Sequence, residues 1–266
     1  MKRITVLFLL LIGFQFSMAQ AIEYEFSEDL PYYTSPTNTY QKNRCVLDLY
    51  YPKNKSRFKT VVWFHGGGIE AGEKEIPEYL KEKGIAVIGV NYRLSPKVKA
   101  PVYIEDAAAA IAWTLKNIDK YGGDPNKIFV SGHSAGAYLA MMAIMDPTYL
   151  NAHALDPQSI AHIIPMSGHT ITHFTIRKER GIPGEQAIID EFAPIYHAKN
   201  NLPPITLITG DRELELLGRY EENAYFYRMM KVNKHKQIEL IELQGYDHGM
   251  TYPAFPILLK IVNKHP

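Results

Sequence analysis

Short apolar runs recur along the chain at residues 46–51, 60–64, 85–91, 127–131, 160–166, 205–209 and 238–243. Several are apolar at successive positions and do not alternate, which predicts strands covered on both faces. Helical spacing fills the gaps. Ile104, Ala108, Ile111, Leu115 and Ile118 recur three and four apart and make one apolar stripe. Residues 135–145 are apolar or small nearly all round, as in a buried helix. Leu217, Tyr220, Ala224 and Tyr227 form a further stripe, and residues 256–262 a short last one. This alternation predicts an α/β fold, a mostly parallel sheet with helices on both faces and right-handed crossovers. Residues 168–201, with Gly181, Pro183, Gly184 and Pro194, are the least regular. They read as a lid or insertion over a site, or as a plain long connection. No repeat, low-complexity tract or linker divides residues 20–266, which read as one domain.

The first residues follow a different rule. Lys2 and Arg3 precede an apolar stretch over 4–16, and Ser17-Met18-Ala19 then sets small residues on either side of Met18. That is the pattern of a cleaved export signal over 1–19, and the apolar stretch is shorter than the roughly 20 residues a membrane span needs. The expected mature chain starts at Gln20 or Ile22, is periplasmic or extracellular, and has no stable membrane insertion. With 29 basic against 28 acidic residues the chain has no global field for nucleic acid. A single cysteine, Cys45, excludes an internal disulfide and a cysteine-based metal site.

The chemistry concentrates in four segments. Gly132-His133-Ser134-Ala135-Gly136 follows one strand-like run directly and precedes the buried helix. Such a strand-to-helix turn lifts a serine hydroxyl to the carboxyl edge of the sheet, and the flanking glycines leave room for it. A serine in an incidental glycine-rich turn lacks this context. Ser134 is therefore the candidate nucleophile. A serine hydroxyl needs a base, and His248, in the loop after the last strand-like run, can supply it. The acid that orients this histidine should follow the run 205–209, where Gly210-Asp211-Arg212-Glu213 stands. Glu213, beyond the turn, is preferred and Asp211 is its rival; the order nucleophile, acid, histidine suits this kind of sheet. His65-Gly66-Gly67-Gly68 follows the run 60–64. N–H groups of Gly66 and Gly67, with that of Ala135, are the expected oxyanion hole, and His65 is read as a brace for the loop. His169 and His173 are four apart and could share a helix face, but they lack a third ligand and the glutamate of a zinc motif, so no metal is expected. Arg177-Lys178-Glu179-Arg180 reads as a solvated face.

These motifs, with Asn91-Tyr92-Arg93-Leu94-Ser95-Pro96 and the stretch from Asp106 through Trp113 to Gly123-Asp124-Pro125, resemble the α/β-hydrolase superfamily. The resemblance is to carboxylesterases of the hormone-sensitive-lipase type and to kynurenine formamidases, over about Leu47 to His248. It implies the α/β-hydrolase fold and a structural role for the tyrosine–arginine–leucine segment. The family's habit of placing its acid three residues after the strand-ending glycine implies Glu213. The expected activity is hydrolysis of a carboxylic ester through an acyl-enzyme, without cofactor. The expected substrate is a small acyl group on a sugar or other soluble alcohol. An amide hydrolase on the same fold, a formamidase or peptidase, is the alternative. A catalytically silent binding module is a further one, against which the full set of nucleophile, histidine and glycine loop argues.

Overall fold

The apolar runs pair into one sheet of eight strands: β1 (Tyr24–Pro31), β2 (Val46–Pro52), β3 (Phe58–Phe64), β4 (Ala86–Val90), β5 (Gly123–His133), β6 (His162–Met166), β7 (Ile205–Gly210) and β8 (Ile238–Leu243). Around it lie α1 (Thr39–Arg44), α2 (Val102–Asn117), α3 (Ala135–Met145), α4 (Pro147–Asn151), α5 (Phe174–Glu179), α6 (Arg219–Val232) and α7 (Thr251–Lys264). The computed structural model describes residues 21–265, so the export signal read at 1–19 lies outside the described residues. Spatial strand order is β1-β2-β4-β3-β5-β6-β7-β8. β2 pairs antiparallel with β1 and β4, and every pairing from β4 to β8 is parallel. This is the expected α/β-hydrolase arrangement.

Alternation within strands builds two cores. Val62 and Phe64 of β3 join the cluster that contains α2, α3 and the buried face of α6. Val61 and Trp63 point the other way, into a cluster with Phe129, Ile164, Phe255 and Leu258 under α7. Strands buried from both sides have no polar face to show, hence the continuous apolar runs. Every residue of α3 is buried. No helix among the described residues is long and apolar enough to cross a membrane.

One strand lies outside the apolar runs, and two expected helices are corrected. β1 has no apolar run; it is an edge strand of mixed, partly exposed residues held antiparallel on β2, so neighbours and not its own pattern fix it. α6 does not bury the stripe Leu217, Tyr220, Ala224 and Tyr227. Its buried face is Arg219, Glu222, Asn223, Phe226 and Met230, and Leu217 precedes the helix and is fully exposed. The polar members of that face are paired: Arg219 Nε donates to Glu222 Oε1 at 2.8 Å, and Asn223 Nδ2 donates to the Gly168 carbonyl at 2.9 Å. Paired polar groups tolerate burial, and hydrophobic spacing does not register them. The last helix begins at Thr251, five residues before Pro256, which it carries within it.

Support for the site comes from the segment after β4. Asp106 is fully buried and receives Arg93 through Nε at 2.8 Å and Nη2 at 2.6 Å, together with the Arg93 backbone N–H at 3.0 Å. Tyr33 adds a hydroxyl at 2.9 Å. Tyr92 stacks on His65, ring centroids 4.4 Å apart, and donates to the His65 carbonyl at 2.8 Å. Arg93 thus ties the chain after β4 to α2, and Tyr92 ties it to the glycine loop.

Candidate active site

The turn between β5 and α3 is strained where the nucleophile stands. Ser134 has φ 53° and ψ −115°, an arrangement L residues adopt at a cost of order 1–3 kcal/mol. The glycines beside it admit no side chain. A Cβ on Gly136 would lie 2.1 Å from the Phe64 carbonyl oxygen, and one on Gly132 would lie 2.6 Å from the backbone of Gly136. Both obstacles are main chain and cannot swing aside. The Ser134 N–H donates to the Met166 carbonyl at 2.8 Å, which fixes the elbow to β6.

The glycine loop lies against this elbow. A Cβ on Gly66 would stand 3.6 Å from Ser134 Cβ and 3.2 Å from His133 Nδ1. Gly67 has φ 108°, and a side chain there would drive into the Ala71 carbonyl at 2.2 Å. His65 stays inside the loop it opens: Nδ1 donates to the Gly66 carbonyl at 2.7 Å, and Nε2 is 3.3 Å from Arg44 Nη2. Burial pushes its pKa down to about 4, so the ring is neutral.

His248 arrives from the loop after β8. Its Nδ1 lies 2.6 Å from Glu215 Oε1 and 2.9 Å from Ser167 Oγ. A carboxylate only accepts, so Nδ1 carries the proton and Nε2 is the basic nitrogen. The His133 ring packs 4.7 Å from the His248 ring, and His133 Nε2 donates to the His248 carbonyl at 2.7 Å. Burial, and then His248 itself, lower His133 to about 4, leaving a neutral prop beneath the histidine loop.

The carboxylate on His248 is thus neither of the two the sequence offered. Glu213 is exposed, and its N–H donates to Asp211 Oδ1 at 3.0 Å. Asp211 Oδ2 accepts the Gly245 N–H at 2.8 Å, and its own N–H donates to the Tyr246 carbonyl at 2.7 Å, so it stitches the two loops together. Past Gly210 the chain makes a turn in which the N–H groups of Leu214 and Glu215 both donate to the Asp211 carbonyl, at 2.9 and 2.8 Å. One helical turn sets residue 215 on the same side as residue 211, and residue 213 opposite. The signal in the sequence is therefore the i, i+4 spacing of Asp211 and Glu215 after the strand end.

The Glu215 side chain is fully buried. Burial alone would raise its pKa, but hydrogen bonds from His248, the Ser167 hydroxyl and the Leu216 N–H outweigh it and hold the carboxyl down to about 2. A folded value below the ordinary 4.5 means stabilisation complete above about 4.5 and lost as pH falls toward about 2. The difference is worth about 3 kcal/mol. Acid unfolding followed by tryptophan fluorescence should therefore steepen in that window, and E215Q should flatten it. Identical acid profiles for the two proteins would contradict this account.

Ser167 was not singled out from the sequence. It has φ 50°, is fully buried, donates to Glu215 Oε2 at 2.6 Å and accepts at its carbonyl from Arg219 Nη1. It lies just past the end of β6, a position that periodicity does not mark.

The remaining expectations fall in the segment 168–201. His169 and His173 do not share a helix face: His169 is in the loop, with Nδ1 2.8 Å from Glu222 Oε1, and His173 caps α5 by accepting from the Thr175 N–H. Among the described residues no group of three or more His, Cys, Asp or Glu could hold a metal ion. The run 177–180 is only partly solvated, because Arg177 is buried and donates to the Gln186 carbonyl at 2.5 Å. α5 sits on the glycine loop: the Thr175 hydroxyl donates to the Gly68 carbonyl at 2.5 Å, and a Cβ on Gly68 would lie 3.2 Å from the Phe174 ring. Two clefts open nearby, the first beside the elbow and the second along α5 and the start of α6. One, of about 520 Å³, is lined by Gly66, His133, Trp63, Tyr79 and Tyr252. The other, of about 610 Å³, runs from Phe174 and Arg177 past His169 to Leu216. Both are of a size for small-molecule sites.

Comparison with known proteins bears on this arrangement. Esterase LipC of Mycobacterium tuberculosis is 28% identical over 208 residues, 70% of this chain, and the match spans half of LipC's own length. A truncated carbohydrate esterase from gut microbiota superposes with a TM-score of 0.74 at 19% identity, covering 92% of this chain and 97% of that one. Esterase 2 of Thermogutta terrifontis, solved phosphonylated by sarin, gives 0.70 at 23% identity, covering 91% and 93%. Their likeness is one of fold. The BD-FAE family model matches residues 47–216, a span that takes in the glycine loop, the Ser134 elbow and Glu215 and stops short of His248. Matched over more than half of its 266 residues, the chain belongs to the BD-FAE family.

Proposed function

We propose that this chain is a serine carboxylesterase that removes a small acyl group from a sugar or other soluble alcohol. One observation carries this: the elbow that lifts Ser134 lies beside Gly66, its own His133 props the loop of His248, and a buried carboxylate fixes the His248 ring by Nδ1. In the reaction His248 Nε2 takes the Ser134 proton as Oγ attacks the ester carbonyl carbon. The C=O π pair moves onto oxygen, and the N–H groups of Gly66, Gly67 and Ala135 receive that oxyanion. The Ser134 N–H is already committed to Met166, which leaves the next one, at the first position of α3, for the oxyanion. The imidazolium, held by Glu215, protonates the departing alcohol, and water repeats the sequence on the acyl-enzyme. The names of the gut-microbiota carbohydrate esterase and of LipC favour an ester, and the former a carbohydrate one.

The decisive measurement is a hydrolysis series with p-nitrophenyl acetate, an acetylated xyloside, longer acyl chains and an N-formyl amide. Acetyl esters should be turned over fastest and the amide slowest. A preference for the amide would transfer the chain to the alternative reading.

We read the chain as exported, on the strength of Lys2, Arg3 and the apolar stretch that follows. Expressed with its leader in a bacterium, the protein should appear outside the cytoplasm with an intact mass that begins at Gln20 or Ile22. A cytoplasmic product that retains Met1 would refute export.

A further inference from the structure

We propose that Arg44 is a positioning residue for the oxyanion hole: it fixes the tautomer of His65, and His65 in turn aims the Gly67 N–H at the reacting oxygen. This role rests on the esterase reading and adds to it a residue that lies before the span 47–216 of the family match.

Arg44 ends α1 and is 8% exposed. A guanidinium offers only donors, and those of Arg44 go to the glycine loop, the residues that follow it and the segment behind it. Nε donates to the Tyr92 carbonyl at 2.8 Å and Nη1 to the Glu73 carboxylate. Nη2 carries two hydrogens. One goes to the Gly72 carbonyl at 2.5 Å, and the other serves His65 Nε2 at 3.3 Å. Gly72 packs on the imidazole itself, since a Cβ there would lie 2.2 Å from His65 Nδ1. Tyr92 holds the face of the same ring by stacking.

This surrounding decides where the hydrogen of the ring stands. Beside a group that can only donate, Nε2 is the acceptor, so the one hydrogen of the neutral ring is on Nδ1. Nδ1 gives it to the Gly66 carbonyl at 2.7 Å. A trans peptide is planar, with its C=O and N–H on opposite sides. The bond that draws the Gly66 carbonyl to His65 therefore turns the N–H of the same peptide, that of Gly67, away from the ring. The preceding peptide is held in the same manner. There the Tyr92 hydroxyl donates to the His65 carbonyl at 2.8 Å and turns out the Gly66 N–H. Among the described residues neither N–H donates to another group, and Gly66 lies against Ser134. In the other tautomer Nδ1 and the Gly66 carbonyl would oppose lone pairs at 2.7 Å, and nothing would hold the Gly67 N–H outward.

The test compares kcat for p-nitrophenyl acetate and for its thiono analogue, in which sulfur replaces the carbonyl oxygen and makes longer, weaker hydrogen bonds. A donor that is badly aimed costs the oxygen ester more than the sulfur one, whereas a general loss of structure lowers both alike. R44K keeps the cation and removes the planar fork. It should lower kcat for the oxygen ester roughly tenfold to a hundredfold with KM nearly unchanged, and cut the oxygen-over-sulfur ratio about tenfold, within the worth of one oxyanion donor. H65F keeps a ring to stack on Tyr92 and lacks both nitrogens. It should cut the ratio as far, and the double variant should go no further than H65F alone, because both changes break one chain. A ratio taken within one preparation is insensitive to how much enzyme folds, and H65F carries the test should R44K be lost. A wild-type ratio in R44K or in H65F overturns this role however far the rates fall, and so do losses that multiply in the double variant. A wild type that cleaves neither ester overturns the esterase reading instead.

Discussion

Replacing Ser134 by alanine should lower kcat for p-nitrophenyl acetate about a million-fold and abolish covalent labelling by a fluorophosphonate. The hydroxyl is the atom that forms the new bond, and no neighbour can replace it. Ser167 lies 2.9 Å from His248 Nδ1, but it is fully buried and donates to Glu215. The loss should be confined to chemistry. Ser134 holds the elbow through backbone, its N–H to Met166 and its carbonyl accepting from Tyr138, and alanine keeps both bonds. Circular dichroism and thermal unfolding should therefore be close to those of the wild type. Labelling that persists in S134A would locate the nucleophile elsewhere and remove the basis of the mechanism.

How far the residues could be read beforehand depended on whether their signal was local. The elbow is local: two glycines, a strand before and an all-apolar helix after lie within a few residues, and the steric need for those glycines follows from backbone contacts alone. The glycine loop was legible for the same reason, and so was His248, the histidine in the loop after the last strand. Features fixed by partners distant in sequence were not legible. β1 takes its conformation from β2, and α6 buries Arg219, Glu222 and Asn223 because partners exist for them across the loop 167–171. Ser167 and His133 gain meaning only when β5, β6 and the β8 loop come together. The acid fell between these cases. Its segment was correctly placed after β7, but the turn past Gly210 decides which carboxylate faces His248.

That turn supports the sharpest functional contrast. E215Q should lower kcat about ten-thousand-fold, whereas E213Q should match the wild type. Glutamine has the volume of glutamate and, with its oxygen toward His248 and Leu216, keeps those two contacts; its NH2 then faces the Ser167 hydroxyl, which can accept, and the Gly210 N–H, whose bond is lost. What it lacks is charge. A neutral amide cannot stabilise the imidazolium that forms as His248 takes the serine proton. Should the amide turn its NH2 toward Nδ1, it also forces the wrong tautomer, with the hydrogen on Nε2 and no lone pair to receive the proton. Neither neighbouring carboxylate of the turn can take the place of Glu215 at His248: Asp211 is occupied with Gly245, and Glu213 lies on the outer side of the turn. Binding should be far less affected than turnover, because Glu215 acts through the histidine and touches no substrate. A large fall in kcat with KM nearly unchanged is thus the expected signature. The reverse pattern, with E213Q inactive and E215Q active, would require the turn to reorganise so that residue 213 faces inward, against the two hydrogen bonds that Leu214 and Glu215 make to Asp211.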